Sequence, residues 1–119
     1  MNQFSNKYDL EERLGKFGEG IIDLCKSIEQ DLVVKPIISQ IVRSGTSIGA
    51  NYMEANGASS RKDFANKIYL CKKEAQETKH WLRMLLKCCP NKKPTVLLLS
   101  DECRQIILIF QAISMKIKT

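Results

Sequence analysis

The residues able to do chemistry are few, and their spacing argues against most enzymes. His80 is the only histidine, set among lysines, so neither a Ser–His nor a Cys–His nucleophilic pair has its members at hand. Five cysteines occur, Cys25, Cys71, Cys88, Cys89 and Cys103, an odd number with no Cys-x-x-Cys spacing. Adjacent Cys88 and Cys89 suit neither an ordinary disulfide nor a tetrahedral zinc site. Reduced, mostly buried thiols are the expectation. Glu54, Glu74 and Glu77 could in principle hold a metal in a bundle core, but the Glu-x-x-His companions of a di-iron bundle are missing. The run Arg43-Ser-Gly-Thr-Ser-Ile-Gly lacks P-loop spacing and no strand precedes it. No catalytic residue, metal site or cofactor is therefore expected.

Two polar constellations stand out instead. At about 100° per residue, Arg61, Lys62, Lys72, Lys73, Lys79, Arg83 and Lys87 share one broad face of a helix, with Tyr69, Gln76 and His80 in the same sector. Asp63, Glu74 and Glu77 fall on another sector, beside Leu70 and Trp81, and Lys67 is the one basic residue outside the basic face. A merely solvated helix tends to mix signs, because opposite charges at i, i+4 support it. A one-signed stripe matches a phosphate backbone, offering phosphate contacts without a base-reading code. The competing reading is a solvated Lys-rich face answered by acids on another helix. The second constellation is a ladder of Arg43, Ser47, Asn51 and Glu54, stepping by four, four and three residues. Its members can hydrogen-bond along the helix, Ser47 to Asn51 and Asn51 to Glu54, while Arg43 and Glu54 need charge partners from elsewhere. It reads as an interhelical or intersubunit network that fixes register, since nothing nearby pairs a nucleophile with a base.

Both constellations must be positioned by helices. Leu10, Leu14, Phe17, Ile21, Leu24, Cys25 and Ile28 step by threes and fours along a first helix over about Tyr8–Ile28. Gly15, Gly18 and Gly20 weaken it, and mark either the close approach of a neighbour or a frayed middle. After a connection over Glu29–Lys35, Pro36 suits the first turn of a second helix ending near Ala55. Ile37, Ile41, Ser44, Ile48, Tyr52 and Ala55 form its core stripe, with Ile38, Val42, Gly45, Gly49 and Met53 beside it. Gly57 can close that helix in the left-handed conformation. Ser60 and Asp63 resemble a capping box opening the third helix, about Arg61–Cys89, whose core stripe is Phe64, Ile68, Cys71, Ala75, Thr78, Leu82, Leu85 and Leu86. Trp81 with Leu70, Met84 and Cys88 makes a second apolar strip, either core or an oligomer contact. Asn91-Lys-Lys-Pro94 is the last turn, before a fourth helix over about Thr95–Ile117. Leu99, Cys103, Ile106, Phe110, Ile113 and Ile117 face inward, and Leu97, Leu108 and Met115 face away, so this helix wants a second partner, and another copy of the chain is the expected one.

No sustained period-two alternation appears, so the expected fold is all-α, an up-down-up-down four-helix bundle forming a single domain over residues 1–119. A three-helix fold with a broken first helix is its competitor. With 119 residues, 44% hydrophobic and 27% charged, the chain can bury a core without staples. The net charge of +6 permits polyanion binding without demanding it. The start, Met1-Asn-Gln-Phe-Ser-Asn-Lys-Tyr-Asp9, holds no apolar signal core, and the longest apolar runs, such as Val96–Leu99 and Ile106–Phe110, are too short for a bilayer. A cytoplasmic protein without a membrane partner is expected.

The stretch Ile41-Val-Arg-Ser-Gly-Thr-Ser-Ile-Gly-Ala-Asn-Tyr-Met-Glu-Ala-Asn-Gly-Ala58, with Ser60-Arg-Lys-Asp-Phe64 and Glu74-Ala-Gln-Glu-Thr-Lys-His-Trp-Leu82, resembles a bacterial family. These are the four-helix-bundle proteins encoded within intervening sequences of 23S rRNA genes. Accessory proteins of diversity-generating retroelements look similar. The resemblance covers most of the chain, and Arg43, Ser47, Asn51 and Glu54 lie on its motif. It departs at Ala55, where the family often has Gly. It implies a homopentamer and no enzyme, and, for the retroelement branch, nucleic-acid binding and a reverse transcriptase partner.

The resulting expectation is a non-enzymatic oligomeric accessory protein that binds RNA or DNA without sequence specificity through Arg61, Lys62, Lys72, Lys73, Lys79, His80, Arg83 and Lys87. Its alternative is a protein–protein interaction scaffold with no nucleic-acid role.

Overall fold

The computed structural model describes the backbone of residues 3–118 and the side chains of residues 9–118. Met1 and Asn2, part of the stretch expected to hold no signal core, lie outside the described residues, as does Thr119. Four helices follow in order, α1 (Gln3–Lys26), α2 (Val34–Asn56), α3 (Arg61–Cys88) and α4 (Lys93–Lys118), with a single 3-10 turn at Pro90–Lys92 before α4. There is no strand among the described residues. The three-helix competitor is excluded by α1, which is continuous through Gly15, Gly18 and Gly20.

Pairings across the seams set the topology. Arg43 meets Glu74 and Lys67 meets Glu54, so α2 and α3 run antiparallel. Cys103 meets Ala75 and Arg61 meets Ile117, so α4 returns against α3. Arg13 of α1 grips α4 with a forked pair of bonds to Glu102, at 2.6 and 2.9 Å, and a third to Gln105 at 2.8 Å. That closes an up-down-up-down bundle of 45 × 28 × 20 Å.

The core follows the apolar stripes. All seven residues expected on the first helix are buried, although α1 ends at Lys26 and leaves Ile28 in the connection that follows. In α2 the central line is Val34, Ile38, Ile41, Ser44, Ile48, Tyr52 and Ala55. Ile37 is only half-buried, and Met53, at the outer edge of the α1 seam, is exposed. Ile68, Cys71, Ala75, Thr78, Leu82 and Leu85 line the inside of α3. Phe110, fully buried in α4, stands edge-on to Tyr52 with ring centroids 5.9 Å apart.

Gly45 permits the close α1–α2 approach. A Cβ there would stand 3.0 Å from Ile21 Cγ1, whereas one on Gly18 or Gly49 would make only ordinary contact, 3.7 Å from the Thr46 backbone and 3.6 Å from Leu14 Cβ. Gly15 has nothing near it, so it is not a packing glycine. A small residue thus takes the place of a ridge where the helices cross.

The helix ends correct several expectations. Gly57 has φ −99°, not the left-handed conformation; the end of α2 is tied by its N–H to Glu54 O and by Ala58 N–H to Ala55 O. The start of α2 is capped by Asp31, whose Oδ1 accepts from Val33 N–H at 2.9 Å and Val34 N–H at 2.8 Å. That cap starts the helix two residues before Pro36, which still lies within the first turn where a missing N–H is harmless. Ser60 Oγ accepts from Asp63 N–H at 3.0 Å, the expected cap of α3. α4 begins earlier than expected, at Lys93, because Pro90–Lys92 coil into a 3-10 turn that feeds it directly.

Candidate nucleic-acid interface

α3 is 28 residues long, about 42 Å at 1.5 Å per residue. Its inward residues leave two rows outside. The outermost row is Lys62, Tyr69, Lys73, Gln76, His80 and Lys87, all exposed. The row beside it, toward α4, is Arg61, Lys72, Lys79 and Arg83, of which only Lys72 is half-buried.

α4 receives two of these cations through neutral groups. Arg61 Nη2 donates to the carbonyl of Ile117 at 2.9 Å, and Lys72 Nζ donates to the Gln111 side-chain oxygen. Lys62, Lys73, Lys79, Arg83 and Lys87 have no acidic partner among the described residues. The nearby α4 cation Arg104 is matched locally, its Nη2 donating to Asp101 Oδ1 at 2.9 Å. Hydrogen bonds from Arg104 and Gln105 hold the Asp101 carboxyl below its ordinary pKa. His80 is exposed, its ring edge-on to Trp81 at 5.1 Å between centroids. Apart from the edge-on Trp81 contact, it reaches no base or nucleophile among the described residues.

The opposite flank of α3 is organised differently. Arg43 Nη1 lies 3.2 Å from Glu74 Oε1, and its Nη2 bridges to Glu77. Glu54 meets Lys67 at 2.8 Å, and that bond raises the Lys67 pKa. The ladder on α2 therefore serves the α2–α3 seam at both ends. Its middle differs from the expected along-helix chain: Ser47 Oγ donates to the carbonyl of Arg43, one turn back, and neither Ser47 nor Glu54 bonds to Asn51. A helical serine satisfies its hydroxyl on the i−4 carbonyl, which removes it from the ladder. Beneath this seam Thr78 Oγ1 lies 2.8 Å from Ser44 Oγ and 2.7 Å from the carbonyl of Glu74. Glu54, Glu74 and Glu77 are thus engaged by basic side chains, and no group of three or more metal-ligating side chains converges among the described residues.

Trp81 and Cys88 are partly buried and pack against the core, yet Trp81 Nε1 is buried without a partner among the described residues. Three thiols are fully enclosed: burial pushes Cys25 up to about 11, and Cys71 and Cys103 up to about 12. Cys88 and Cys89 are half-buried, not enclosed as the other three are, because they end α3 at the bundle's edge. Leu97, Leu98, Leu108 and Met115 of α4 are exposed. No helix among the described residues is long and apolar enough to cross a membrane.

Comparison with known proteins adds a family. Residues 8–112 match the profile of the 23S rRNA-intervening sequence protein. Among solved structures, a protein of unknown function from the S23 ribosomal protein family of Bacteroides thetaiotaomicron is similar. It is 33% identical, superposes with a TM-score of 0.76, and the match covers 87% of this chain and 96% of that one. No curated protein matches.

Proposed function

From the premise that the chain belongs to the 23S rRNA-intervening sequence protein family, we propose that it is a non-enzymatic accessory protein whose α3 face binds nucleic acid without sequence specificity. One observation carries this reading. Lys62, Lys73, Lys79, Arg83 and Lys87 lie exposed along one side of one helix with no acidic partner among the described residues. Such a row keeps its counterions until a polyanion replaces them, and their release drives binding. Four of these five cations are lysines, which meet phosphates as point charges, so affinity comes from phosphates and carries little sequence information.

A filter-binding titration with RNA and DNA at several salt concentrations tests the reading. Log affinity should fall linearly with log salt, with a slope of about −4 if all five cations engage phosphates. Undetectable binding at low salt, or binding indifferent to salt, overturns it.

The proposal includes self-association, the homopentamer that the family resemblance implies. The exposed Leu97, Leu108 and Met115 of α4 favour it, being apolar surface that a second copy would cover. Light scattering should give a multiple of the 13.6 kDa chain mass; a monomer at micromolar concentration contradicts this part. The same apolar strip favours the second reading, a protein-interaction scaffold. Capture of one protein partner by a variant with a neutralised α3 face, together with no RNA binding by the unaltered protein, would establish that reading instead.

A further inference from the structure

Resting on the polyanion reading above, the structure assigns a narrower ligand to the α3 face: we infer that it prefers nucleic acid with unpaired bases, and that Tyr69 is the platform on which a base stacks.

The observation is an aromatic ring where a purely electrostatic face needs none. Tyr69 is 63% exposed and makes no ring contact or hydrogen bond with the described residues. A tyrosine carries a large apolar face, which a monomeric helix ordinarily turns inward. Here it stands in the outermost row, two turns after Lys62 and one turn before Lys73, with Lys72 beside it on the inner row. Four residues separate Tyr69 from Lys73, about 6 Å along the axis. Ring and ammonium groups are therefore close enough to serve one nucleotide and its neighbours. Further along the same row His80 presents a second exposed ring, about 16 Å from Tyr69 along the axis.

The chemistry distinguishes ligands. In a duplex the base faces are covered by their stacked neighbours, and a ring on a convex helix cannot reach them. A duplex then gains only the phosphate contacts of the face. In a single strand or loop the bases can turn outward, and every base has a π-face, so stacking adds affinity without adding sequence preference. The contents of the face fit this division: Lys62, Lys73, Lys79, Arg83 and Lys87 track the backbone, while Tyr69 takes a base.

Fluorescence anisotropy with three labelled probes tests the assignment: a single-stranded oligonucleotide, its duplex, and the same strand with its bases removed. The unaltered protein should bind the single strand tightest. Tyr69→Ala should weaken that complex about tenfold, the size of one base–aromatic stack. It should leave the duplex and base-free probes unchanged, and Tyr69→Phe should behave as the unaltered protein. Circular dichroism checks that helix content is retained, which solvent exposure of Tyr69 favours. Equal binding of all probes by the unaltered protein and by Tyr69→Ala overturns the stacking assignment and leaves polyanion binding standing. Failure of every probe to bind overturns both.

Discussion

The two flanks of α3 treat their cations in opposite ways. Toward α2, Arg43 is held by Glu74 and Glu77, and Lys67 by Glu54. Toward α4 and solvent, Arg61 and Lys72 meet only a carbonyl and an amide, while Lys79 and Arg83 meet no acid among the described residues. Paired charges fix the register of two helices and cancel each other's field. Unpaired charges stabilise nothing inside the fold and leave a field for a ligand to answer. The comparison therefore separates a structural seam from a candidate binding face on one helix, and it makes each flank testable by the measurement that should not move the other.

The largest effect should come from breaking the open flank. The double variant Lys79→Glu with Arg83→Glu should lose about a hundredfold in RNA affinity at low salt, and its salt slope should shrink by about 2. Its urea midpoint should stay near that of the unaltered protein, because neither side chain is committed to a partner. Next, Thr78→Val beneath the closed flank strands the buried Ser44 hydroxyl. That should cost about 2 kcal/mol in urea unfolding and leave RNA affinity unchanged. Arg43→Ala removes the bridge to Glu74 and Glu77 at a partly exposed site. A loss of about 1 kcal/mol is expected, again with binding intact. Loss of RNA binding in either variant, with folding retained, would erase the distinction between the flanks.

Alkaline pH should affect both flanks alike, so it contributes least to the contrast. Cys71 Sγ donates to Ile48 O at 3.7 Å on the α2 side, and Cys103 Sγ to Ala75 O at 3.1 Å on the α4 side. Burial pushes both thiols up to about 12 from an ordinary 9.0. Above pH 9 the unfolded chain therefore releases these protons while the folded chain keeps them. Stability must fall as pH rises from about 9 toward 12. Urea midpoints measured upward from pH 8 check this, and replacing either cysteine by Ala should flatten the decline.

How much of this was legible in the sequence differs by length scale. The α1 stripe from Leu10 to Cys25 was readable, because a helix buried on one face repeats its apolar residues locally, though nothing local showed that the helix stops at Lys26, before Ile28. The one-signed rows of α3 were readable for the same reason, since they belong to a single helix. Arg43's need for a partner was legible too, but Glu74 and Glu77 lie 31 and 34 residues away, and no local pattern reports that distance. The Arg13 clamp on Glu102, spanning 89 residues, left no signal at all. Local chemistry also misled. Asn51 suited a ladder that Ser47 abandons for a backbone carbonyl, and Gly57 suited a left-handed end that the Glu54 and Ala55 carbonyls close without it. Asp31 was an available cap that the expected start at Pro36 obscured. Tyr69 was placed in the basic sector by its spacing, but only its exposure and lack of partners distinguish it from a core tyrosine.

Lysine footprinting tests the central claim most directly. The protein is acetylated briefly with and without excess single-stranded RNA, and each lysine's modification is read by mass spectrometry. The account predicts protection at Lys62, Lys73, Lys79 and Lys87, with Lys26 and Lys35, which lie off α3, unchanged. Uniform reactivity along α3 with RNA bound, or protection confined to lysines of other helices, would contradict it.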